Sequence, residues 1–387
     1  MSCQVHDMIR SLIISKSNQE NFVTIFPSSE VASVMTSGKI RRLSVQYIDK
    51  ECGMVPMLPT LSHARSFKFK VLRVLEMDDC RKLENNHLKS IGRLSQLKYL
   101  GLKRTPISEL PEQIGELKYL ETLDLRITNS YCSTSTIDGI GEMQSLQQLS
   151  SFDVCRSSIT SLQELGRLSN LRVLVMAWRS FGMIGDVRSY NNNLVSSLGR
   201  LGACSLQSLY IQGYNSSLQD FSLDLWCPYP SLLQKFVASK CLSVIPNWLG
   251  SLINLSYVNV DVLRAAQRDL DILGELPNLL FLRLGSEAAP KESLIIRSQC
   301  FQSAFTWEII SATGCFDFGI QNLLSLKEAV VNIDCCAAWA GEGYAAEAAI
   351  KNSARALPNN PSLNIERFSA NDDDKKDFGL FETEVTM

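Results

Sequence analysis

Histidine is scarce in this chain, and the patterns that mark common catalytic and metal sites are missing. Three histidines, His6, His63 and His87, occur among 387 residues, and none lies in an HExxH or comparable catalytic pattern. The twelve cysteines include no CxxC pair, the spacing that many zinc and redox sites use. We therefore expect a protein that is not an enzyme and that holds no metal or cofactor.

An excess of charge of one sign and long apolar runs are missing as well. Lys and Arg number 38 against 40 Asp and Glu, a net charge of -2, which gives no strong field to attract nucleic acid or an anionic membrane. Arg10 interrupts the first apolar run, unlike a secretory signal, and no stretch reaches the roughly 18 apolar residues of a spanning helix. We expect a cytoplasmic protein with reduced cysteines that binds neither nucleic acid nor membranes.

The chain does contain a repeated pattern of leucine, two residues, leucine, one residue, leucine. Its steps of about 25 residues are those of leucine-rich repeats. In a short strand the second and third apolar positions of this pattern point into the core, and the residues between them face solvent. Clear copies begin at Leu72, Leu97, Leu120, Leu171, Leu206, Leu255 and Leu279, and weaker ones at Ile40, Leu146, Leu233 and Leu326.

The segments ahead of the strands space their apolar residues by three, as in Ile91, Leu94 and Leu97, which is typical of short helical or irregular segments. We predict an α/β repeat fold: a leucine-rich-repeat solenoid of horseshoe form, with a parallel concave sheet, short convex helical or irregular segments and a C-terminal helical cap. The repeats are assigned to residues 39–336, the cap, a helix plus a last strand, to 337–370, and a disordered tail to 371–387. The Gly- and Asn-rich insert at 181–193 is predicted to be a surface loop.

The strand register also predicts the residues of the concave face. Aromatic and arginine side chains often carry the binding energy of protein interfaces, and the mixed signs of charge at these positions argue against a nucleic-acid groove. We predict a protein-binding surface formed by Tyr99, Lys103, Asp124, Arg126, Trp178, Tyr210, Gln212, Tyr257, Asn259, Asp261, Phe281 and Arg283.

Two stretches carry a resemblance to a known family. The run ISELPEQIGELKYLETLDLR, with VLRVLEMDDC before it, resembles the repeats of plant coiled-coil nucleotide-binding leucine-rich-repeat disease-resistance proteins. Val5, His6 and Asp7 are similar to that family's Met-His-Asp motif. The resemblance implies that residues 1–38 are a remnant of the winged-helix and linker segment, and that His6 and Asp7 belong to a site for ADP. No GxxxxGK[ST] phosphate loop occurs in the chain, so ADP or ATP binding is expected only together with the missing nucleotide-binding module.

The resemblance also implies a function in plant defence. It implies an innate immune module that recognises a pathogen effector or a guarded host protein, or that restrains the nucleotide-binding module in cis. A stand-alone leucine-rich-repeat signalling scaffold or adaptor of the Ras-group type is the alternative, because the run IGELKYLETLDL is shared with such proteins. A receptor fragment, a decoy and a functional stand-alone protein all stay open from the sequence.

Overall fold

The computed structural model describes residues 24–26, 42–45, 71–81, 83–126, 139–155, 157–179, 187–214, 223–288, 294–295, 305–309, 322, 328–334, 340–358 and 360–368. The chain forms two compact units, which are described separately. The first unit contains residues 1–206 and 226–230, and the second contains residues 207–225 and 231–387.

The first unit carries seven described strands, each paired in parallel with the next. Short 3-10 helices precede several strands, and two α-helices follow later. The strands are β1 (Thr24–Phe26), β2 (Arg42–Val45), β3 (Val74–Glu76), β4 (Tyr99–Gly101), β5 (Thr122–Asp124), β6 (Gln148–Asp153) and β7 (Val173–Arg179). The 3-10 helices are Asn85–Leu88, Ile91–Arg93, Glu112–Glu116 and Ile140–Glu142, and the α-helices are α1 (Ile159–Leu165) and α2 (Val187–Gly202).

The second unit repeats this arrangement with longer strands. Its described strands also pair in parallel with their sequence neighbours. They are β8 (Ser208–Tyr214), β9 (Lys235–Leu242), β10 (Tyr257–Arg264), β11 (Phe281–Ala288), β12 (Phe305–Ile309), β13 (Glu328–Asp334) and β14 (Ser362–Phe368). The 3-10 helices are Leu223–Leu225 and Asn247–Ser251, and the α-helices are α3 (Gln267–Gly274) and α4 (Ala340–Arg355).

The leucines of the repeated pattern form the core of each unit. In the first unit Leu75, Leu100, Leu123, Leu149 and Leu174 are consecutive partners across the ladder, and each is 0% exposed. One repeat cannot bury such a face alone, so the stacking of neighbouring repeats is what removes these side chains from water. The predicted leucine-rich-repeat fold with a parallel sheet and short helical segments is confirmed.

Close stacking of the 3-10 turns requires glycine at some positions. A Cβ on Gly115 would lie 2.8 Å from the carbonyl oxygen of Gly139, closer than carbon and oxygen can pack. Gly139 itself has a φ of 83°, in the left-handed region that glycine adopts at little cost. The glycine after the apolar residue of the turn therefore sets how closely one repeat approaches the next.

Side chains also bond the backbone within a repeat and between neighbouring repeats. The amide of Asn278 donates to the carbonyl of Ile253 at 2.8 Å. The buried carboxylate of Asp269, at the start of α3, accepts the N–H of Ala266 at 2.9 Å and the N–H of Ile245 at 3.1 Å. These bonds satisfy backbone groups at turns, where strand pairing cannot.

Two expectations about boundaries differ from the structure, and a third stays a prediction. β1 pairs with β2, so the ladder already includes residues 24–26, before the predicted start at 39. The predicted loop at 181–193 is wrong for its second half, because α2 begins at Val187; Leu194, Leu198 and Leu201 recur at helical spacing and are 0% exposed. The segment assigned to the cap contains α4 and β14, and β14 pairs with β13. Its capping role stays a prediction, and residues 371–387 lie outside the described residues.

Within the described part of the chain, no helix has both the length and the apolar character that crossing a bilayer requires.

Candidate binding face on the strands

Three strands of the second unit bring an aromatic and cationic group together. Lys235, Tyr257 and Phe281 are direct partners across β9, β10 and β11, and all three side chains are partly exposed. Their neighbours along the strands, Val258 and Leu282, are 0% and 1% exposed. The first outward position of each strand is thus placed on the face opposite the core.

The two rings and the ammonium group form one continuous stack. The Tyr257 and Phe281 rings lie 4.3 Å apart between centroids with an interplanar angle of 8°. The Lys235 Nζ atom lies 4.2 Å from the centroid of Tyr257 and 5.5 Å from that of Tyr210, within the range of a cation–π interaction. The geometry holds both rings in fixed positions before any ligand binds.

Polar side chains occupy the next outward positions of the same strands, after Tyr257 and Phe281. Arg283 Nη1 donates to Asn259 Oδ1 at 2.8 Å and to Asp261 Oδ1 at 3.0 Å. A Cβ on Gly285 would collide with Asp261 Oδ1, so the absence of a side chain at Gly285 leaves the space that this carboxylate fills. We call Lys235, Tyr257, Phe281 and Arg283 the aromatic patch, which is supported from below by Asn259 and Asp261.

An acidic group occupies the equivalent face of the first unit. Glu76 and Asp124 flank Gly101 as its direct partners on β3 and β5. The Asp124 carboxylate pairs with Arg126 Nη2 at 2.6 Å, and Asp78 Oδ1 accepts the N–H of Lys103 at 2.9 Å.

Burial changes the acid–base behaviour of this acidic group. It raises the pKa of Asp78 to about 6, and the nearby charges of Asp124 and Glu76 act in the same direction. Burial also raises the pKa of the Tyr99 hydroxyl, so that this group remains neutral. A carboxylate with a pKa of about 6 changes its charge within the range of pH that cells experience.

Seven of the twelve residues predicted for the binding surface keep part of their surface exposed in the structure. These are Tyr99, Lys103, Arg126, Gln212, Tyr257, Phe281 and Arg283. Trp178 lies in β7, and its side chain falls outside the described residues, as do His6 and Asp7.

Four of the predicted surface residues are buried instead. The exposed fractions are 3% for Asp124, 3% for Tyr210, 6% for Asn259 and 8% for Asp261, so the expectation that they face solvent is wrong. Long cationic side chains lie against these residues. Arg126 pairs with Asp124 two residues before it, whereas Lys235 lies over Tyr210 and Arg283 over Asn259 and Asp261 from strands about 4.8 Å away.

The sequence prediction missed Lys235. It occupies the position of Tyr257 and Phe281 in the weaker repeat that begins at Leu233, and that repeat is as well formed as the others, with Leu233 and Phe236 both 0% exposed. Giving the weaker copies of the pattern equal weight would have identified it.

Comparisons with known proteins agree with the repeat architecture. A family model described as a leucine-rich repeat region matches residues 44–137 and 130–314. Disease resistance protein Pik-2 of Oryza sativa subsp. japonica is 28% identical over 345 residues, covering 72% of this chain and 33% of Pik-2. Disease resistance protein RGA5 of the same organism is 28% identical over 335 residues, covering 77% of this chain and 30% of RGA5.

The chain spans about one third of the length of these curated relatives. Among solved structures, a leucine-rich-repeat protein of Leptospira interrogans matches with a TM-score of 0.43 and 17% identity, over 78% of this chain and 74% of its own.

Proposed function

Because this chain belongs to the leucine-rich-repeat family, and its repeats are similar to those of plant disease-resistance proteins, we propose that it is a protein-recognition module in plant innate immunity. Its ligand is a pathogen effector or a guarded host protein, and the module also contacts the nucleotide-binding module of a receptor in cis. It acts in the cytoplasm, by binding and without catalysis.

The aromatic patch is the observation that carries this proposal. Tyrosine and arginine are enriched among residues that dominate interface energies. The stacking of Tyr257 on Phe281 and the hydrogen bonds that hold Arg283 fix these side chains in advance. Binding therefore loses little side-chain entropy, which is one of the main costs of association.

Library screening with the full chain tests the proposal. The chain is screened by two-hybrid assay against secreted pathogen proteins and against host leaf proteins, and each interacting protein is then titrated against purified variants. Changing Tyr257→Ala and Phe281→Ala together should weaken a genuine partner by about thirtyfold or more, the effect of a hot spot of about 2 kcal/mol. Tyr119→Ala is the matched control, because Tyr119 is 57% exposed and lies outside the patch.

If partners bind the double variant Tyr257→Ala and Phe281→Ala as tightly as they bind the unchanged chain, the patch is not the recognition surface. The thermal unfolding of each variant is recorded in parallel, and Lys235→Glu serves as a second probe of the patch that keeps both rings in place.

A further inference from the structure

The chain carries an acidic and aromatic segment after its last described strand. Residues 371–387 contain six carboxylates against two lysines, a net charge of -4, together with Phe378, Leu380 and Phe381. Such a segment combines negative charge with apolar side chains within a few residues. Its carboxylates are Asp372, Asp373, Asp374, Asp377, Glu382 and Glu384.

The aromatic patch has the complementary chemistry. Since Tyr257 and Phe281 stack face to face across neighbouring strands, each ring presents its edge to solvent. The edge of an aromatic ring carries partial positive charge, and Lys235 adds a cationic group beside it. Arg283 adds a second cationic group, which is paired with the Asp261 carboxylate at 3.0 Å. Leu263, on the same face of β10 as Tyr257 by alternation, is 44% exposed. The patch therefore places two cationic groups, against the one carboxylate of Asp261, next to an exposed apolar side chain.

The segment is long enough to reach this patch within its own unit. Leu282 aligns with Leu363 through Phe305 and Ala329, which places β14 three strands from β11 and four from β10. At about 4.8 Å between strands and about 3.3 Å per residue along them, Phe368 lies roughly 28 Å from Tyr257. The ten residues from Phe368 to Phe378 can span roughly 33 Å.

We propose that residues 371–387 dock on the aromatic patch of the same chain, with their carboxylates beside Lys235 and Arg283 and their phenylalanines against the ring edges and Leu263. The segment then occupies the recognition surface until a partner displaces it. This inference rests on the proposed function, because it regulates access to that same surface.

A labelled peptide tests the docking on the full-length chain. The probe is a synthetic fluorescein-labelled peptide of residues 371–387, followed by fluorescence anisotropy. The recipient is the full chain with the six carboxylates changed to amides by Asp→Asn or Glu→Gln, so that its own segment no longer competes. This neutralised chain should bind the peptide, and the unchanged chain should bind it at least about tenfold more weakly, because its own segment is present at an effective concentration in the millimolar range.

Patch variants are then made in the neutralised chain. Lys235→Gln with Phe281→Ala should weaken peptide binding by about tenfold or more, whereas Tyr119→Ala should leave it unchanged. The single variant Lys235→Gln, which keeps both rings, should weaken binding by about fivefold, and circular dichroism verifies its folding. Peptide binding should also weaken as salt is raised, since exposed charges are screened.

Two results would overturn the docking: no binding of the peptide to the neutralised chain, or equal binding to the neutralised chain and to its patch variants. Either result leaves the proposed function intact if partner proteins still require the patch. If instead every partner binds the patch variants as tightly as the unchanged chain, while the peptide still requires the patch, the proposed function is refuted.

Discussion

The stacked pair of Tyr257 and Phe281 permits an energetic test of the aromatic patch that needs no partner. The ring centroids are 4.3 Å apart and nearly parallel, and such a pair contributes about 0.5–1.5 kcal/mol beyond the area it buries. Each ring is half-buried, so Tyr257→Ala and Phe281→Ala should each lower the free energy of unfolding by about 1–2 kcal/mol. The double variant should lose about 1 kcal/mol less than the sum of the two single variants.

Urea unfolding followed by circular dichroism measures this coupling energy. Ile253→Ala provides the matched control, because Ile253 is 64% exposed and its substitution should add to Tyr257→Ala without coupling. A coupling below about 0.3 kcal/mol between the two rings, the level expected of independent sites, would refute the stacked arrangement.

Two other substitutions test features that hold the repeats together. Asp269→Ala leaves the N–H groups of Ile245 and Ala266 without their acceptor and should cost about 2–4 kcal/mol in urea unfolding; a cost below about 1 kcal/mol would refute the bonding role. Gly115→Ala places a Cβ 2.8 Å from the Gly139 carbonyl and should lower stability by about 1–3 kcal/mol, and an unchanged melting temperature would contradict the close approach.

The pKa of the Asp78 carboxyl is raised from 3.8 to about 6, so the folded chain binds the carboxyl proton more tightly than the unfolded chain does. The protonated carboxyl therefore contributes stability that is complete below about pH 4. This stability is lost as the pH rises through about 6. Asp78→Asn should therefore gain stability relative to the unchanged chain between pH 4 and pH 7, by on the order of 1 kcal/mol after allowance for solvent screening; thermal unfolding curves with a constant difference across this range would disprove it.

The core could be predicted from the sequence because its signal is repeated. A single leucine triplet is ambiguous, but copies at Leu72, Leu97 and Leu120 fix the strand period and the inward face at once. The turn glycines and the leucines before the strands follow the same period. A solenoid core consists of nearest-neighbour contacts, so a local pattern is sufficient to describe it.

The exposure of the outward face could be predicted only in part. Alternation identifies the face on which a residue lies, and it placed Tyr257 and Phe281 correctly. It does not show whether a nearby long side chain covers a shorter one, as Arg126 covers Asp124 within one repeat and Arg283 covers Asp261 from the neighbouring strand. Helix α2 was missed because its first half, VRSYNNN, is mostly polar and resembles a loop, and its buried leucines begin only at Leu194.

The leucine register buries one side of each strand and leaves the aromatic patch partly exposed on the other. Hydroxyl-radical footprinting of the full chain tests this with residues matched in chemistry: Phe281 against Phe236, which is 0% exposed, and Tyr257 against Tyr210, which is 3% exposed. We predict that Phe281 and Tyr257 are oxidised several times faster than their buried counterparts. Equal oxidation rates within each pair, or faster oxidation of Phe236 or Tyr210, would show that the aromatic patch is not on the exposed side of the strands.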